Sequence, residues 1–69
     1  MPANTYKLIE LVGSSPVSSD EAVRNAIAKA GRTIKNIDWF QVIEQRGHVV
    51  GNKVAHFQVT LKVGFRIEE

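Results

Sequence analysis

The stretch Lys53-Val54-Ala55-His56-Phe57-Gln58-Val59-Thr60-Leu61-Lys62-Val63-Gly64-Phe65-Arg66-Ile67 alternates strictly from Ala55 onward, apolar at odd positions and polar or glycine at even ones. A period of two belongs to a strand with one buried face, so Ala55, Phe57, Val59, Leu61, Val63, Phe65 and Ile67 should face the core. Upstream, Trp39 to Val50 forms another extended run, and Gly51-Asn52 between them suits a two-residue hairpin turn. With that turn, Val50 lies opposite Lys53. Counting back sets Phe40 across from Val63, Val42 from Leu61, Gln45 from Gln58 and Trp39 from Gly64. This register puts Trp39 and Gln58 together on the face away from the core and His48 and His56 on opposite faces.

Toward the N-terminus, Thr5 to Val12 is rich in aromatic and branched residues and runs into Gly13-Ser14-Ser15-Pro16, which reads as a first strand and a turn. Ser18-Ser19-Asp20-Glu21 sets a serine three residues before a glutamate, as in a capping box, so a helix is expected from about Ser19. Its apolar stripe is Val23, Ile27, Ala30, Ile34 and Ile37, widened by Ala22 and Ala26, with Arg24, Lys29, Arg32 and Lys35 on other faces. Gly31 falls inside this helix, either as a close approach by neighbouring backbone or as a tolerated defect. Asn36 suits a left-handed terminator. The expected order is β-α-β-β, an α+β chain with a three-stranded sheet and one helix.

Composition narrows the function. A chain of 69 residues makes one small domain, 1–69, that is marginal alone without a staple. It has no cysteine and only two histidines, so disulfides, thiolate metal sites and a structural metal are not expected. Nine Lys+Arg against seven Asp+Glu are interspersed along the chain, which argues against a nucleic-acid footprint. No run reaches the ~18 apolar residues of a membrane span, and no basic-then-apolar signal opens the chain, so a cytoplasmic location is expected.

Oligomerisation is the remaining staple. A strand of about 12 residues spans roughly 40 Å, whereas a helix of about 17 residues spans only about 26 Å. The hairpin therefore overshoots its helix and leaves Val49, Val50, Val54, Phe57 and the face bearing Trp39 wet, with sheet edges open.

The set Tyr6 to Gly13, Asp38-Trp39-Phe40, Arg46-Gly47-His48, Ala55-His56-Phe57-Gln58-Val59 and Lys62-Val63-Gly64-Phe65-Arg66, in this order and spacing, resembles the dodecin family of small flavin-binding proteins over nearly the whole chain. The resemblance implies a protomer whose three-stranded antiparallel sheet is wrapped around the one helix, with twelve copies forming a hollow shell, a homododecamer, that takes up flavins in pairs between tryptophans of symmetry-related chains. Trp39 would then stack on the ring, Gln58 would bond its polar edge, and Arg46 would reach the ribityl or phosphate part of FMN. Riboflavin and FAD remain open as the flavin. Some relatives also bind coenzyme A, using positions that resemble Tyr6, Lys29, Thr33, Lys35 and Arg66. The implied role is flavin storage, sequestration and quenching of its photochemistry, without catalysis.

Plainer readings stand beside these. Trp39 could be an interface aromatic covering Gly64, Gln58 an ordinary strand residue, and Arg46 the partner of Glu44 or Glu10 in an ion pair. An enzyme would need an acid or base poised beside the ring, which the sequence does not single out. The main rival is a self-assembling interaction module that binds no flavin.

Overall fold

The computed structural model describes residues 3–68. Strand β1 (Tyr6–Ser15), helix α1 (Ser19–Ala30), strand β2 (Ile37–Val50) and strand β3 (Lys53–Arg66) follow one another in chain order. The strands form one antiparallel sheet in the order β1-β3-β2, so the last strand in sequence is the middle one in space. This is the expected β-α-β-β fold with one helix on a three-stranded antiparallel sheet.

Local chemistry sets the boundaries. The Ser18 hydroxyl accepts a hydrogen bond from the Glu21 N–H at 3.0 Å, and α1 begins at Ser19 as its cap requires. Gly51 and Asn52 have φ of 57° and 63°, the pair of positive values that a tight turn matched to sheet twist demands.

The helix is shorter than its apolar stripe suggests. It stops at Ala30, and Gly31 is its C-cap in ordinary right-handed backbone, neither an interior defect nor a point of close approach. The chain continues through turns in which the Arg32, Thr33 and Ile34 N–H groups donate to the Lys29 and Ala30 carbonyls. Asn36, at φ 65°, supplies the left-handed residue at the end of this segment rather than at the helix terminus. Ile37 consequently reaches the core from β2. β1, conversely, runs through Gly13-Ser14-Ser15, because these residues pair with Val59, Gln58 and Phe57. A side chain at Gly13 would collide with the Ala22 carbonyl oxygen, so its absence lets α1 sit directly on β1.

The core is small. Ala22, Val59, Leu61 and Val63 are fully buried, and Ile9, Leu11, Val23, Ala26, Ile27 and Ile37 pack around them. Of the odd residues of β3, Val59, Leu61 and Val63 lie in the core with α1, Ala55, Phe57 and Phe65 are half-buried, and Ile67 lies beyond the strand and is exposed. Molecular extents of 53 × 21 × 15 Å reflect the long hairpin beside a helix of 12 residues.

The hairpin register differs from an uninterrupted count. Irregularities fall between Ile37 and Trp39, between Val42 and Glu44, and between His48 and Val49. The pairs Val50–Lys53, Val42–Leu61, Phe40–Val63 and Trp39–Gly64 are as expected, but between the bulges Gln45 pairs with Val59 and Arg46 with Gln58. Asp38 and Ile43 are extra residues on β2 and Ala55 is the extra one on β3, and the shifts at Ile43 and Ala55 offset each other. As a result His48 lies directly opposite His56, on one face and not on two.

Candidate functional site

On the sheet face away from α1, β3 presents His56, Gln58, Thr60, Lys62, Gly64 and Arg66, and the neighbouring strands add their paired residues. Trp39 is paired with Gly64. A Cβ at Gly64 would collide with Cε2 and Cζ2 of the indole and meet its Nε1 at 2.7 Å. The indole thus lies against bare backbone and keeps 41% of its surface exposed. Tyr6 meets it edge-on, with ring centroids 6.4 Å apart and planes at 62°, a favourable quadrupolar arrangement. Sequence reasoning did not connect these two rings; their adjacency follows from the β1–β3 register, in which Tyr6 pairs with Arg66 and Leu8 with Gly64.

Arg46 and Gln58 stand directly opposite one another, so their Cβ atoms are about 5 Å apart. The bulge at Ile43 produces this pairing by turning Arg46 onto the same face as Trp39 and Gln58. Arg46 approaches Glu44 only loosely, with Nη1 3.8 Å from the carboxylate and both side chains 58% exposed. A pair so open to water holds the guanidinium weakly and leaves its donors available.

Trp39 and Gln58 share a face but not a place. Gly64, under the indole, is six residues along β3 from Gln58, about 20 Å of strand. A planar ring stacked on Trp39 therefore cannot reach Gln58 and Arg46 of the same chain.

The five remaining candidates gather at one end of the fold. Tyr6 pairs with Arg66; the Arg66 N–H donates to the Asn36 carbonyl at 3.0 Å, and the Asn36 amide donates back to the Arg66 carbonyl at 3.5 Å. This link brings the segment after α1, with Thr33 and Lys35, beside the end of β3, and Lys29 occupies the last turn of the helix at that end. Arg32, which sequence reasoning assigned only to a wet helix face, adds a further cation to the same segment.

Two concavities flank these groups. A groove of about 710 Å³ runs between α1 and β2, lined mainly by Val23, Ile27, Ile37, Phe40 and Val42. A second hollow, of about 380 Å³, is lined by Ser14, Gly47, His48, His56 and Gln58. Among the described residues no helix is long and apolar enough to cross a membrane.

Comparison with known proteins adds a name to this geometry. The family model described as Dodecin matches residues 5–68. The chain is 45% identical to the dodecin of Thermus thermophilus over 64 residues, covering 93% of each protein. It is 30% identical to the calcium dodecin of Mycobacterium tuberculosis over 64 residues, covering 93% of this chain and 90% of that one. The structure of dodecin from Streptomyces coelicolor matches with a TM-score of 0.94 at 49% identity, covering 100% of this chain and 99% of that one. Fold, register and relatives agree, and the chain belongs to the dodecin family.

Proposed function

We propose that this protein binds flavin, as FMN or riboflavin, and stores and shields it without turnover. The observation that carries the reading is the indole of Trp39, seated on Gly64, still partly exposed, and about 20 Å of strand from the Arg46–Gln58 pair. A complete ring site then needs Trp39 of one copy and the polar pair of another. Stacking supplies area, Gln58 offers both a donor and an acceptor to the ring edge, and Arg46 supplies a fork for a phosphate. Such contacts bind and orient; they do not move protons, which fits a binding protein better than an enzyme.

The assembly that completes the site is a homododecamer of hollow form, as the resemblance implies, working in the cytoplasm. The apolar groove between α1 and β2 and the exposed length of β2 are the surfaces that a second copy would cover.

Titrating FMN with purified protein tests the reading. Saturating quenching of flavin fluorescence near one flavin per chain is the expected result, lost in Trp39→Ala protein that still assembles on a sizing column. Unchanged fluorescence in the presence of correctly assembled wild-type protein would sink it and leave an interaction module without ligand.

A second ligand, coenzyme A, is favoured by the end of the fold where Tyr6 pairs with Arg66 and the segment carrying Thr33 and Lys35 follows the last helical turn with Lys29. Cations there suit the phosphates of a nucleotide, and Tyr6 offers a ring for its base. Calorimetry with coenzyme A on wild-type and Lys29→Ala proteins decides it, with weaker binding expected in the variant and equal binding counting against the assignment.

A further inference from the structure

We infer that His48 and His56 form a two-imidazole chelate for a late first-row divalent cation such as Zn²⁺, Ni²⁺ or Cu²⁺. The pair exists because of the bulges. An uninterrupted hairpin would send the two imidazoles to opposite faces, whereas the extra residue at Ala55 sets them directly opposite each other on one face. Directly paired strand residues have Cβ atoms about 5 Å apart, a separation from which two imidazole rings can converge on one ion with Zn–N bonds of about 2.0–2.1 Å.

The surroundings suit a cation with incomplete protein coordination. Gly47, beside His48, carries no side chain, so bare backbone forms that part of the wall. The wall also carries the Gln58 amide and the Ser14 hydroxyl, which offer neutral oxygens while water completes the sphere. Both histidines are exposed in the single chain. Imidazole nitrogen selects zinc, nickel and copper over calcium and magnesium, which require oxygen donors. With no carboxylate among the described residues that line the hollow, the bound cation keeps its charge, so the site is a moderate-affinity port able to accept an anionic fourth ligand.

The test is calorimetric titration of untagged, assembled protein with NiCl₂ and ZnCl₂, in wild-type form and as His48→Gln, His56→Gln and the double variant. One cation per chain is expected for wild type, with binding weakened about tenfold or more in each single variant and abolished in the double one. No binding by the wild type, or undiminished binding by the double variant, overturns the inference. A spectroscopic measurement needs no variant: the electron paramagnetic resonance spectrum of wild-type protein with one Cu²⁺ per chain should show coupling to imidazole nitrogen, and its absence is equally fatal.

Discussion

β2 and β3 are each 14 residues long and lie side by side, yet their fates in the single chain are opposite. β3 contains Val59, Leu61 and Val63, all with 0–1% exposure, while every residue of β2 from Asp38 to Val50 is exposed. Hydrophobicity does not explain this, since Phe40, Val42, Ile43, Val49 and Val50 make β2 apolar as well. Position does. β3 has a strand on both sides and a helix above it, whereas β2 is an edge strand that α1 leaves uncovered. The difference separates the residues that make the fold of the single chain from those that it leaves exposed.

Truncating the two members of one cross-strand pair sharpens that division most. Leu61→Ala should cost about 2–5 kcal/mol in urea unfolding, the range for a large-to-small change in a packed core. Val42→Ala, directly opposite but 45% exposed, should cost about 1 kcal/mol and shift the sizing profile more than the unfolding midpoint. Equal losses would mean that β2 is as deeply buried in the assembled protein as β3 is in the single chain. Gly64→Ala attacks the point where the strands exchange their most specific contact. Displacing the indole should destabilise by about 1–3 kcal/mol, and because Trp39 is the only tryptophan, its emission should shift to the red. A native emission maximum with unchanged stability would show that Trp39 does not rest on that backbone.

Away from the hairpin, Ser18→Ala removes the accepted hydrogen bond at the start of α1, and a loss of about 1 kcal/mol is expected by thermal unfolding. The smallest effect belongs to Glu44→Gln. Its ion pair with Arg46 is long and wet, so the urea midpoint should move by an amount worth less than about 0.5 kcal/mol. A larger change would make β2 an energetically structured strand and weaken the contrast with β3.

Much of the fold could be read from residue order. The alternation from Ala55 to Phe65, the cap at Ser18 and the turn at Gly51-Asn52 each rest on a local rule that the surrounding structure also obeys. The end of α1 was not legible, because Ile34 and Ile37 continue the helical spacing while in fact serving a turn and a strand. Nor was the order β1-β3-β2, since nothing in the pattern of β2 marks it as an edge.

The candidate site was half legible. Trp39 and Gln58 were placed on the correct face, but the pairing of Arg46 with Gln58, and of His48 with His56, depended on single-residue bulges. A bulge leaves almost no compositional mark. The one available hint was Val42-Ile43, two adjacent apolar residues that break the alternation just before Glu44. Separation was the other hidden quantity: sharing a face says nothing about the six residues of β3 between Gly64 and Gln58.

The placement of β3 between two strands that precede it in the chain has a consequence for biosynthesis. β1 and β2 do not pair with each other, so a chain emerging from the ribosome carries two strands without a sheet partner until the segment Lys53–Arg66 is made. Until then the helix has only β1 to rest on, and the apolar edge of β2 is open to any neighbouring nascent chain. Sheet formation is thereby postponed until the segment Lys53–Arg66 has been made.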